Sequence, residues 1–337
     1  MGTLGNRESS TTVASVLALL ALLVALVLAA CGGSNSSATP LPTPTVAGTL
    51  AFGSVVTAQG NADIYVVSAD GTGKTQLTDD PGWEEHPSWS PDGSRIAYVV
   101  YPEGSLYGHD ATLLIMNADG SGKVQLSKGA ARGYHPAWSS DGTQIAYTGR
   151  TQKQAYAEAV FVMNADGSDP RRVTPTVDYG FPTWASDGRI LFRQDGDVVA
   201  LDLATNRTQQ LTTTGNLDEV GNVEDFTRIG DFALSPDGQW IAIHDGSYDR
   251  IALIAAQGGG APPKTLLDGV SKLFTFSASE HNVAPVWTPD GTALALASSD
   301  AYGMMSDSRL YIVNADGSGL SAVPGVDNAV APAWRPE

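Results

Sequence analysis

Nine Asp-Gly turns punctuate this chain in two interleaved series. The first reads "SPDG" at Ser90, "SSDG" at Ser139, "ASDG" at Ala185, "SPDG" at Ser235 and "TPDG" at Thr288. The second reads "SADG" at Ser68 and "NADG" at Asn117, Asn164 and Asn314. Neighbouring copies within a series lie about 46 to 53 residues apart, except that Asn164 and Asn314 are separated by three such steps; the step is the period of a four-stranded propeller blade. Each period holds the same parts. A short strand ends in Trp89, Trp138, Trp184, Trp287 or Trp334, with Leu234 as the substitute. The turn follows, with Pro suited to its second position and Gly to the left-handed position that closes a hairpin. A nearly continuous apolar strand comes next ("RIAYVV", "QIAYTG"), then a loop and a third strand ("TLLIMN", "RLYIVN"). The second Asp-Gly leads into a short, polar outer strand.

Strands that are apolar on both faces need cover on both sides, as face-to-face blades provide. Five periods are complete and a sixth is split: the chain ends on "APAWRPE" and the repeats open on "TLAFGS". The expected fold is therefore all-β, a six-bladed propeller of four-stranded blades. Pairing the C-terminal inner strand with the N-terminal strands closes the ring and removes the open edges.

The turn-and-tryptophan repeats resemble the WD40-like repeats of TolB-type six-bladed propellers across residues 49–337. The copies around Trp89, Trp138 and Trp287 match best, and the one around Leu234 departs most. The TolB protein also carries an N-terminal α/β domain, so its role in the Tol–Pal envelope system is not carried over with the resemblance.

Ahead of the repeats, Arg7 precedes the apolar run "VASVLALLALLVALVLAA" and a cysteine, Cys31. An apolar run ending in small residues is a secretory signal. "LAAC" resembles the bacterial lipoprotein signal, which implies diacylglycerol on Cys31. The run is long enough for the alternative of a single uncleaved N-terminal transmembrane anchor. Either way the expected location is the cell envelope, outside the cytoplasmic membrane. The division expected is signal 1–30, tether 31–48 and propeller 49–337, because the Gly, Ser, Thr and Pro of "GGSNSSATPLPTPTVAG" cannot bury a core. A net charge of -17 excludes nucleic acid as a partner, since phosphates demand a basic surface. With Cys31 the only cysteine, an intrachain disulfide and a cysteine zinc site are excluded as well.

Both Asp-Gly series fall on one face of a propeller, so the longer, varied loops share the other, where function usually resides. His86 and His135 start equivalent inner strands there, at the positions of Phe181, Asp231, Ala284 and Ala331. His281 lies close by in sequence. The candidate partner face comprises His86, His135, Asp231, His281, Trp83, Glu84, Glu85, Tyr134, Tyr179 and Phe276. Carboxylates beside aromatics suit a protein or peptide partner. His86, His135 and Asp231 are the one combination that could hold a metal, though the repeat alone also explains "HP". The Asp-Gly turns are not calcium loops: the required acid at the twelfth position is Lys128, Pro175 or Gly325.

No nucleophile elbow, zincin motif, P-loop or dinucleotide fingerprint appears, and an appended hydrolase domain is not expected. The expectation is a lipid-anchored, monomeric binding or scaffold module for an envelope protein or peptide, without cofactor or catalysis. The alternative is a glycan binder or a metal-assisted lyase working at the channel mouth.

Overall fold

A computed structural model describes residues 46–56, 61–103, 111–126, 132–150, 158–177, 180–212, 229–245, 250–256, 264–269, 283–298 and 309–337. These residues form twenty-four β-strands. Blade 1 joins β24 (Ala329–Trp334) to β1 (Thr49–Val56), β2 (Asn61–Ser68) and β3 (Thr75–Gln76). Blade 2 is β4 (Trp83–Trp89), β5 (Arg95–Tyr101), β6 (Thr112–Asn117) and β7 (Val124–Gln125). Blade 3 is β8 (Arg132–Trp138), β9 (Gln144–Arg150), β10 (Glu158–Asn164) and β11 (Arg171–Arg172). Blade 4 is β12 (Thr183–Trp184), β13 (Ile190–Gln194), β14 (Asp197–Asp202) and β15 (Arg207–Gln210). Blade 5 is β16 (Ile229–Leu234), β17 (Trp240–Asp245), β18 (Arg250–Ala255) and β19 (Lys264–Asp268). Blade 6 is β20 (Val283–Trp287), β21 (Ala293–Ser298), β22 (Arg309–Asn314) and β23 (Ser321–Asp327).

Blades 6, 1 and 2 are hydrogen-bonded into one larger sheet by two parallel bridges, Ser298 to Val330 and Ala62 to Trp83. All pairing within blades is antiparallel. Leu50 pairs with Trp334 and Ser54 with Ala329, so the last strand supplies the inner strand of the first blade. The apolar core is divided among the junctions between blades. Leu50 and Phe52 meet Ala295 and Ile312 between blades 1 and 6, and Ile64 meets Ile96 and Tyr98 between blades 1 and 2. Ile115 meets Trp138 and Tyr147, and Val160 meets Ile190 and Phe192. Leu191 meets Ile241 and Ile243, and Leu253 meets Leu294 and Leu296. Six junctions, each filled by two neighbouring blades, make a closed ring.

Three of the tryptophans fasten this ring with more than apolar area, whereas Trp89 Nε1 and Trp334 Nε1 are buried without a hydrogen-bond partner. Trp138 Nε1 donates to the carbonyl of Ser88, Trp184 Nε1 to Ala137 and Trp287 Nε1 to Ala233, each at 3.1 Å. Every acceptor is the residue just before the neighbouring blade's own Trp or Leu234. Leu234 cannot donate such a bond, so blade 5 packs on blade 4 through apolar side chains including Phe232 and Ile241.

The Asp-Gly turns fold as their composition predicts. At the first, Gly93 N donates to Ser90 O and the Asp92 carboxylate accepts from Ser90 Oγ and from the amide of Ser94. Those bonds, led by the Ser90 hydroxyl, hold the Asp92 carboxyl at about 2. Asp141, Asp237 and Asp290 are lowered for the same reason. The second series also serves blade packing. Gly120, Gly167 and Gly317 lie at φ of +84°, +83° and +89° against the carbonyl oxygens of Leu77, Leu126 and Leu266 in the preceding blade. A Cβ on Gly167 would sit 2.8 Å from Leu126 O, whereas one on Gly188, at φ +84°, meets nothing within 4 Å. Gly188→Ala therefore costs only the left-handed conformation, about 1 kcal/mol, and Gly167→Ala about 2–3 kcal/mol because a backbone clash is added. Urea unfolding of the two variants checks this. Equal losses would mean that the blade contact carries nothing.

Candidate functional site

The inner strands share a defect at the end opposite the Asp-Gly turns. Register slips between Glu85 and Ser88 in β4, between Tyr134 and Ala137 in β8, and between Ile229 and Phe232 in β16. In blade 1 the slip falls between Ala51 and Gly53, which pair with Ala333 and Val330. The backbone turns left-handed at His86 (φ 51°), His135 (50°), Phe181 (37°) and Ala331 (45°). Proline follows each of the four and has no amide to lose from the ladder, so the bulge breaks no further bond. Blade 6 keeps an unbroken ladder through Ala284. A bulky residue at positive φ costs about 1–2 kcal/mol, and such strain concentrates at binding and catalytic sites.

The kink redirects three successive side chains into one row. The His86 and His135 rings lie 4.1 Å apart at 62°, and the His135 and Phe181 rings 4.3 Å apart at 52°. His86 Nε2 is 3.5 Å from Glu85 Oε2. Burial pushes the His86 imidazole down to about 4. Burial, and then the neighbouring His86, hold His135 well below the usual range. Both rings are thus neutral at pH 7, and His135 Nδ1 is buried without a hydrogen-bond partner. A row of neutral rings offers aromatic stacking faces. In an NMR titration the His86 imidazole is expected to keep its neutral shifts from pH 8 down to about 5. A midpoint near 6.5, as for an exposed histidine, would contradict its burial.

Trp83 is half-buried at the start of β4, while Glu84, Glu85 and Tyr134 are buried within the blades. Tyr134 stacks on Tyr101 at 6.2 Å and lies under the Arg150 guanidinium, which pairs with Glu158 at 2.7 Å. Asp231 falls in the β16 bulge, and its side chain lies outside the described residues, as do Cys31, Tyr179, Phe276 and His281. Among the described residues no group of three or more His, Cys, Asp or Glu side chains is arranged to hold a metal. Phe181 was seen in the sequence only as a positional counterpart of the histidines. A following proline does not mark the kink by itself, because Ala284 also precedes one and its strand stays in register.

No family model matches the chain. TolB from Acinetobacter baumannii superposes with a TM-score of 0.67 at 18% identity, covering 89% of this chain and 69% of that one. The fold is that of a TolB-type propeller. A puromycin hydrolase superposes with a TM-score of 0.52 at 13% identity, over 84% of this chain and 53% of that one. In sequence, dipeptidyl-peptidase 5 of Porphyromonas gingivalis is 26% identical over 296 residues, 86% of this chain. This chain spans only 41% of that relative's length. These findings overturn the expectation of a chain without catalysis: the relative matched along most of the propeller is an enzyme. Catalytic motifs were the wrong discriminator, because a propeller of this kind occurs within enzymes whose motifs need not lie in its repeats.

Proposed function

We propose that the chain is a peptide-recognising propeller whose channel mouth receives an extended peptide or protein segment along the row His86, His135 and Phe181. The observation that carries this reading is the left-handed kink repeated in successive blades, which holds three rings in contact before any ligand arrives. Preorganised aromatic faces bind with little ordering cost. The peptide chemistry in the name of dipeptidyl-peptidase 5 supports the same class of ligand. Incubating the protein with a mixed peptide pool, followed by mass spectrometry, tests it. Peptides retained by the wild type and lost from His86→Ala/His135→Ala are expected, and fragments shortened by the protein would assign peptidase activity as well. Retention of acidic oligosaccharides with no peptide would sink the reading.

In the same proposal, residues 1–30 direct export, Cys31 carries a lipid, residues 31–48 tether and residues 49–337 form the propeller. The envelope location rests on the sequence of residues 1–48. Among the described residues no helix is long and apolar enough to cross a membrane. Labelled palmitate should enter the wild type and not Cys31→Ser; equal labelling would refute the lipid site.

A further inference from the structure

A second constellation lies between blades 1 and 2. The parallel bridge from Ala62 to Trp83 sets the next residue of each strand side by side, Asp63 on β2 and Glu84 on β4. They are 2% and 0% exposed, and their carboxyls are within hydrogen-bonding reach of each other. Gln76 Nε2 donates to Asp63 Oδ2 at 3.0 Å and Thr78 Oγ1 to Glu84 Oε2 at 3.5 Å. Two buried oxygens at this junction, Asn61 Oδ1 and the hydroxyl of Tyr98, have no hydrogen-bond partner, and Asp63 Oδ1 and Glu84 Oε1 have none beyond the opposite carboxyl. Tyr98 is fully buried, points from blade 2 toward blade 1, and feels Glu84 and Asp80 electrostatically.

The fold does not require this arrangement. Blade 4 carries the same trio, Asp197, Gln210 and Thr212, and there both Asp197 oxygens are used: Gln210 Nε2 donates at 2.6 Å and Thr212 Oγ1 at 3.3 Å. In blade 1 Glu84 takes the threonine hydroxyl instead and leaves Asp63 Oδ1 without one. Blade 3 has Gly133 at the position of Glu84, so no acid is needed there to build a blade. Two buried carboxylates call for a positive partner. Lys123, the basic group nearby, is held by Asp80 at 2.7 Å, and Asp79 and Asp80 add negative charge. Burial, then Asp63 and Asp80, hold the Glu84 carboxyl above the usual carboxylate range.

We propose that the junction of blades 1 and 2 binds one divalent cation of the calcium type through Asp63, Glu84, Tyr98 and Asn61, latching the ring-closing blade to its neighbour. An all-oxygen donor set favours a hard cation. This site is independent of the peptide reading and stands or falls separately.

The test uses the full chain, stripped with EDTA and melted at pH 8 with calcium or magnesium chloride. Calcium at about one hundred times its Kd should raise Tm by about 5 °C. Calorimetry should show one calcium per chain. Glu84→Gln, or Asp63→Asn if that variant does not fold, should remove the response. A wild-type Tm at pH 8 that ignores calcium would overturn the proposal. A calcium response surviving in both variants would also overturn it, by placing the ion elsewhere.

Discussion

Deleting residues 329–337 is expected to abolish the cooperative unfolding transition. The lost strand β24 is the inner strand of blade 1, hydrogen-bonded to β1 from Leu50 to Ser54. It buries Ala329, Val330 and Trp334, and it contributes to the core shared by blades 1 and 6. Without it β1 presents an unpaired edge, and Leu50, Phe52, Ala295 and Ala297 lose part of their cover. Removing any interior hairpin would damage one blade, but removing this strand opens the ring itself. Circular dichroism melts should show a broad, sloping loss of signal, with aggregation from the exposed edge on size-exclusion chromatography. A sharp transition at the wild-type Tm would mean that ring closure is dispensable.

Trp138→Ala is the second large effect, at about 3–5 kcal/mol by analogy with other buried aromatic truncations. The indole is 7% exposed, it fills the junction between blades 2 and 3, and it donates to Ser88 O. The Arg95 guanidinium lies 4.8 Å above the ring. Trp138→Phe separates these contributions. It keeps most of the apolar area and loses the donor, leaving the Ser88 carbonyl unpaired at a cost of about 1–3 kcal/mol. Leu234 shows that a blade tolerates the missing bond when its neighbour packs well, so the phenylalanine variant should fold. Urea denaturation orders the three proteins as wild type, Phe, Ala. An alanine variant within 1 kcal/mol of wild type would contradict the fastening role of these tryptophans.

The scaffold was legible in the sequence because its signals are local. Asp-Gly turns, tryptophans and two-faced strands recur at a fixed period, and each is fixed by chemistry within a few residues. The close approach of Gly120, Gly167 and Gly317 to the preceding blade was not legible, because turn chemistry alone already accounted for those glycines. "HP" was recognised as a repeated start to the inner strand, but not as a bulge. A left-handed residue breaks the alternation by which strand sequences are read, so the row of His86, His135 and Phe181 emerged only from backbone geometry. Glu84 and Glu85 read as part of an acidic, aromatic-lined surface, yet Glu84 meets Asp63 across two blades through a single parallel bridge. Nothing local to either residue announces that pairing. The expectation of a chain without catalysis was overturned for a related reason: propeller repeats record how blades pack, and the relationship to an enzyme lies in the sequence match to dipeptidyl-peptidase 5.

The most direct measurement of the peptide reading is photo-crosslinking of a retained peptide, with the adducts mapped by mass spectrometry. Crosslinks to β4 and β8 around His86 and His135, and to the segment around Phe181, are the predicted result. Crosslinks confined to the opposite face, at the Asp-Gly turns around Asp92, Asp141 and Asp290, would contradict it.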